Sequence, residues 1–302
     1  MNASERSRAA LSIAAVERET GVSKDTLRVW ERRYGFPNPR RDAFGERAYS
    51  PAEVEKLRAI KRLMDQGHRP GRLIGLSLQE LRALVQPPAT LAAAEELRPY
   101  LELVRTHRID DLRDRLAQTV LRLGLARFVT EIVAPLTELV GDAWARGQIE
   151  VFEEHLYTEV VQAVLRSAIG SLPARGAPPR VLLTTVPQEP HGLGLLMAEA
   201  MLAAEGCHCI SLGVRTPLAD IVAAARAQQA DIVALSFSSC LAPKPALESL
   251  AELRARLPRT VELWAGGACA ALHRRPPAHV RTFRTLDSIA PAVAEWRAAH
   301  AA

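Results

Sequence analysis

Apolar residues recur at helical spacing through the first eighty positions of the chain. Residues 12–34 read as two short helices around Gly21, the second opened by Ser23 as N-cap with Asp25 in its first turn. Ser50-Pro51-x-Glu53 marks another start, through an N-cap, a proline at the first helical position and a glutamate that reaches back. The long helix behind it carries Val54, Leu57, Ile60, Leu63 and Met64 on one stripe and is expected to end at Gly67. Ser77-x-x-Glu80 opens a further short helix, and residues 87–90 (Pro-Pro-Ala-Thr) read as a linker. From 91 to about 171 the spacing is helical throughout, with breaks near His107, Gly124 and Gly147, the count expected of a four-helix bundle.

After a second linker, Pro173 to Pro179, the period changes. Short β-rich runs at 181–186, 208–213, 231–237 and 261–264 alternate with helical stretches such as 217–229 and 245–257. That alternation predicts βαβ units, a parallel sheet covered by helices and a Rossmann-like, flavodoxin-type layer whose ligand site lies beyond the carboxyl ends of the strands. The fold class is therefore multidomain. An all-α winged helix-turn-helix spans 11–86, a four-helix bundle 91–172 and an α/β Rossmann-like domain with a parallel sheet 180–300. A length of 302 residues with 48% hydrophobic content agrees with two or three folded cores.

No apolar run approaches the ~18 residues of a membrane span, and the N-terminus lacks an apolar signal core, so a cytoplasmic protein with no membrane partner is expected. Cys207, Cys209, Cys240 and Cys269 lie in apolar segments without paired C-x-x-C spacing and read as buried free thiols. The net charge of +5 is unevenly spread. Residues 1–87 hold 17 Lys and Arg against 11 Asp and Glu, and the remainder holds 22 against 23. A basic end on a neutral chain fits either a nucleic-acid footprint or a solvated face, so the motifs decide.

The second short helix presents Lys24, Arg28 and Arg32 on its polar side, with Arg33 beside them, while Leu27 and Trp30 face inward. Pro37 to Tyr49, with Arg40, Arg41 and Arg47 around a Phe44-Gly45 tip, suits a β-hairpin wing that lays guanidinium groups on phosphates. The string GVSKDTLRVWERRYGFPNPRRDAFGERAYSPAEVEKL resembles the DNA-binding domain of the MerR family, over about residues 11–80. The resemblance implies a winged helix that binds double-stranded DNA as a dimer at a palindromic promoter operator. It does not say what is sensed.

Glu189-x-His191-x-x-Gly194 follows the first strand of the α/β domain. A lone loop histidine is ordinarily a surface residue. Together with Ser236-Phe-Ser238 and Gly266-Gly267 at later strand ends, the motif resembles the cobalamin-binding signature of methionine synthase, mutases and corrinoid carriers. That family implies His191 as the lower axial ligand of cobalt, with the nucleotide tail threaded into the domain. A carboxylate at Glu189 suits the second nitrogen of the ring, fixing its tautomer. Gly194, Gly266 and Gly267 would let backbone approach a bulky ring and a buried tail. The family usually has Asp in place of Glu189, and often Leu in place of Ser238.

Trp144 followed, after nine residues, by Glu154-His155 is an ordinary helical hairpin in isolation. It also resembles the cap of the light-dependent MerR regulators of the CarH and LitR type, in which these residue types cover the upper face of adenosylcobalamin. With the three domains in the same order, the resemblance spans nearly the whole chain. One departure stands out: those light sensors have a His after the Trp that captures cobalt once the adenosyl group is lost, and this chain has Ala145. The resemblance implies a self-associating repressor, a dimer or tetramer, in which cobalamin is sensor and not catalyst. Two rivals remain, a MerR-type regulator that senses cobalamin without light and a corrinoid-dependent methyl-transfer carrier. The carrier is disfavoured by residues 11–80 and by the lack of a catalytic barrel.

Overall fold

The structure, a computed structural model, describes residues 10–65, 68–84, 91–173, 176–274 and 276–301. The chain divides into two units. One holds the described residues through Ala94 together with Leu139–Glu154; the other holds Glu95–Glu138 and the described residues from His155 on.

In the first unit, β1 (Leu11–Ser12) leads into α1 (Ile13–Thr20), which starts where the Ser12 hydroxyl accepts from the Ala15 N–H and stops at Gly21, φ 68°. Ser23 accepts from the Thr26 N–H at the head of α2 (Lys24–Tyr34). β2 (Arg40–Arg41) and β3 (Arg47–Tyr49) form the expected hairpin wing and, with β1, an antiparallel sheet in the order β1-β3-β2, so the domain classed as all-α carries a small sheet. At α3 (Pro51–Asp65) the capping box is complete. The Glu53 N–H donates to the Ser50 hydroxyl at 3.3 Å and the Ser50 N–H to Glu53 Oε2 at 2.8 Å. After α4 (Pro70–Leu73), Ser77 and Glu80 repeat the device at α5 (Leu78–Leu84). Leu27, Trp30, Tyr49, Leu57, Ile60 and Leu81 fill the core, Trp30 at 4% exposure. Burying side chains of this size stabilises by about 2–3 kcal/mol each. The expected helix end at Gly67 and the linker at 87–90 lie outside the described residues.

The helical segments are α6 (Leu91–Arg105), α7 (Ile109–Leu123), α8 (Leu125–Arg127), a π-helical stretch at Phe128–Val133 running into α9 (Ala134–Ala145), and α10 (Val151–Gly170). The three expected breaks carry positive φ, 58° at His107, 77° at Gly124 and 68° at Gly147. Two polar pairs tie buried faces in the second unit: Tyr100 to Thr119 across α6 and α7 at 3.0 Å, and Thr137 to Tyr157 across α9 and α10 at 2.7 Å.

The α/β layer runs β4 (Ala177–Thr184), α11 (Leu193–Ala204), β5 (Cys207–Ser211), α12 (Leu218–Ala227), β6 (Ile232–Ser236), α13 (Pro243–Arg256), β7 (Glu262–Gly266), α14 (Ala270–Arg274), β8 (Arg281–Phe283) and α15 (Ile289–His300). All pairings are parallel and the order is β5-β4-β6-β7-β8, with Val181 opposite Cys209 on one side and Ile232 on the other. The winding reverses between β4 and β6, which opens a crevice at their carboxyl ends. β4 takes in Pro178 and Pro179, shortening the expected linker, and β8 is a fifth strand beyond the four expected. Cys207 and Cys269 are buried and Cys209 partly so, but Cys240 is exposed, against the expectation for all four. Burial pushes the Cys207 thiol up to about 11.

Candidate functional site

Glu189 and His191 stand on the loop from β4 to α11, at the carboxyl end of β4. The Glu189 side chain is 0% exposed and the His191 side chain 53% exposed. Glu189 Oε1 lies 2.6 Å from His191 Nδ1 and accepts the His191 backbone N–H at 3.0 Å; Oε2 accepts the Ser238 N–H at 2.7 Å and its hydroxyl at 2.8 Å. Burial alone would push this carboxyl up. The His191 ring, the Ser238 and His191 N–H groups and the Ser238 hydroxyl outweigh burial and hold it below its ordinary value. An ionised Glu189 favours the tautomer whose Nδ1–H it accepts, and Nε2 is then the ring nitrogen not turned to the carboxylate.

Ser236 ends β6 and Ser238 follows it, so the structure brings both beside the Glu189–His191 loop. A Cβ on Gly194 would lie 2.9 Å from Ser236 Oγ. Gly266 ends β7, and Gly267 has φ 116° with a Cβ position that would run into the Phe237 carbonyl oxygen. The Gly267 requirement therefore comes from the fold itself. Sequence reasoning missed Thr185. Its buried hydroxyl donates to the Glu189 carbonyl at 2.6 Å and accepts the Arg215 N–H at 2.8 Å, bracing the loop. The available signal was a polar Thr184-Thr185 pair closing an apolar strand. Among the described residues no three His, Cys, Asp or Glu are grouped to hold a metal ion. A single presented imidazole suits a metal that brings its other ligands with it.

In the first unit, Arg28, Arg32, Arg40 and Arg41 are exposed and Lys24 partly so. Lys24 pairs with Glu17 at 3.4 Å and Arg28 with Asp25 at 3.1 Å. Arg47 differs, because its Nε donates to Glu31 on α2 at 2.8 Å with its side chain 25% exposed, which ties the wing to that helix. Trp144 near the end of α9 also belongs to this unit. The Arg58 guanidinium of α3 sits 5.2 Å from the centre of its ring, and Arg58 Nη2 donates to Glu19 of α1 at 2.6 Å. Gly147, in the turn after α9, packs where a Cβ would lie 2.6 Å from Glu55 Oε1. Glu154, partly buried, closes this unit's share of α10, and the exposed His155 opens the other unit's share.

The family described as MerR HTH family regulatory protein matches residues 11–86. Two families described as B12 binding domain match residues 97–168 and 179–281. The fold resembles that of the monomethylamine corrinoid protein of Methanosarcina barkeri with a TM-score of 0.51, at 18% identity over 66% of this chain and 96% of that one. The HTH-type transcriptional repressor CarH of Myxococcus xanthus is 34% identical over 262 residues, which is 84% of this chain and 87% of the relative. CarA of the same organism is 34% identical over 265 residues, 85% and 87% of the two chains. With a helix-turn-helix of MerR type, two B12-binding domains and this identity over most of its length, the chain belongs to the family of HTH-type transcriptional repressors represented by CarH and CarA.

Proposed function

We propose that this chain is a cytoplasmic, self-associating transcription repressor that binds a palindromic DNA operator and uses adenosylcobalamin as its sensor of light. The observation that carries the reading is the imidazole of His191, presented at the sheet's switch point and oriented by a fully buried carboxylate. The donor set fits the cofactor: the half-exposed imidazole has one nitrogen turned to the buried carboxylate and the other left for cobalt, and cobalamin brings its remaining ligands itself. When bound, cobalamin would supply a cobalt ion that accepts a protein nitrogen and, in the adenosyl form, a photolabile cobalt–carbon bond.

In this reading His191 would hold cobalt through Nε2, and Glu189, itself bonded by Ser238, would orient the ring. Gly194, Ser236, Gly266 and Gly267 border the path of the nucleotide tail. The resemblance to light-dependent MerR regulators would give Trp144, Glu154 and His155 a role in covering the cofactor. Lys24, Arg28 and Arg32 meet the major groove from α2, and Arg40 and Arg41 meet phosphates from the wing, with Arg47 steadying it. Binding of the cofactor shifts oligomer and DNA affinity by its differential affinity for the two arrangements of the protein and by no more.

The test is His191→Ala. The exposed position predicts that the fold survives, that cobalamin washes out on gel filtration, and that the visible spectrum of any retained cobalamin loses the signature of a nitrogen below the cobalt. An unchanged spectrum and unchanged retention would overturn the assignment. A second reading, cobalamin sensing without light, is favoured by Ala145 alone, because that position offers no nitrogen to hold a light state.

A further inference from the structure

The tip of the β2–β3 hairpin holds an aromatic ring in water. Phe44 is 91% exposed, more than any other large apolar residue described. The backbone that presents it is braced. The Asp42 N–H donates to the Glu46 carbonyl at 2.9 Å and the Gly45 N–H to the Asp42 carbonyl at 3.0 Å. Asp42 Oδ1 accepts the N–H groups of both Phe44 and Glu46, at 2.9 and 2.8 Å. Gly45 closes the turn at φ 78°, and Arg41 Nη1 donates to its carbonyl at 2.9 Å. A slack loop would fold such a ring back onto the protein. This one holds it out, forgoing the burial that normally stabilises a phenyl group.

We infer that Phe44 is an apolar wedge for the minor groove of the bound duplex, with Arg40 and Arg41 on the phosphates at the groove edges. The inference rests on the DNA-binding reading above. Width decides which part of the hairpin enters: two strands about 4.8 Å apart, with their side chains, exceed a minor groove about 6 Å wide, so only the tip side chain fits. Charge agrees. The exposed guanidiniums of Arg40 and Arg41 flank the tip, one Asp42 oxygen is already met by two N–H groups, and the remaining acid, Glu46, acts electrostatically on Arg47. Apolar side chains placed this way part base steps and kink the duplex.

The experiment uses the full-length holoprotein and a duplex it has itself selected from a random-sequence library, with donor and acceptor dyes at the duplex ends. Phe44→Ala is expected to lose about ten- to a hundredfold in affinity. The slope of log affinity against log salt should stay where it was, because a phenyl ring displaces no counterion. The dye-reported bend should shrink, and Phe44→Leu should restore most of both. Equal affinity and equal bend in Phe44→Ala would overturn the wedge. So would a loss accompanied by a shallower salt slope, which would make the ring a support for Arg41. A change in oligomer size with unchanged DNA affinity would also overturn it and give the ring to a second copy of the chain. A wild-type protein that selects no duplex would defeat the DNA-binding reading itself, a result distinct from all of these.

Discussion

Glu189 spends both its oxygens on four hydrogen bonds inside the protein, and that arithmetic makes it more than a companion of His191. Replacing it by Gln turns one acceptor into a donor facing N–H groups. The variant should lose about 1–3 kcal/mol in a denaturant titration of the cobalamin-free chain. It should also weaken the preference of the His191 ring proton for Nδ1, read by 15N NMR of the imidazole. An unaltered tautomer would refute the positioning role. At this scale the sequence was informative where chemistry is local. The Glu189–His191 spacing announced the pair, since two residues on one loop reach each other whatever the rest does. Ser238 and Thr185 became legible as supports only once the fold set β6 and the loop after β5 beside that loop. Gly267 was read as room for a ligand, yet the Phe237 carbonyl beside it already excludes a side chain.

Helix starts were the most legible elements, because capping uses residues three apart: Ser50 with Glu53 and Ser77 with Glu80 formed as spelled. The π-helical stretch at Phe128–Val133 and the three-residue edge strand β8 left no such trace. A π turn differs from an α turn by one residue of register, and Arg281-Thr282-Phe283 is too short to show a period. The wing was legible, but Arg47's bond to Glu31 was not, since sixteen residues separate them. Structure thereby sorts the arginines for experiment. Arg40 is the cleanest phosphate probe, being exposed and not engaged in bracing the tip as Arg41 is. Arg40→Ala should weaken binding to all sequences alike and reduce the salt slope by about one. Arg28→Ala, on a helix face with 53% of the side chain exposed, should cost about 1–3 kcal/mol at one base pair and little elsewhere. Salt titrations with matched and mutated duplexes separate the two. An Arg40→Ala protein with altered base preference and a fixed slope would refute the wing assignment.

On the scale of the whole chain, the first unit draws in a distant segment that periodicity could not assign to it. The end of α9 and the start of α10 assemble with the winged helix, where Arg58 lies over Trp144 and pairs with Glu19. The tryptophan proposed to cover the cofactor is thus fastened to α3 of the DNA reader. A ligand that packed on Trp144 would therefore touch a residue in contact with α3, and linkage would let it act on the winged helix only through a differential affinity for two arrangements. Light is the sharpest test of that coupling. If Trp144, Glu154 and His155 take the covering role that the resemblance to light-dependent MerR regulators implies, illumination should lower both DNA affinity and oligomer size. Ala145 has no nitrogen to offer, so in the proposed light state the freed position would go to water, or to His155 after a shift of its helix, and the cofactor would be less firmly held. The light state should therefore lose cobalamin readily. Ala145→His should slow that loss, because it supplies the nitrogen one residue after Trp144 that the resemblance to light-dependent MerR regulators implies. The measurement is cobalamin passing a filter after a light pulse, for both proteins, with oligomer mass and duplex affinity followed in parallel. Slower release from Ala145→His, with a fall in mass and affinity in both proteins, supports the photoreceptor reading. No light-induced change in mass or affinity in either would reject it and leave cobalamin level as the signal.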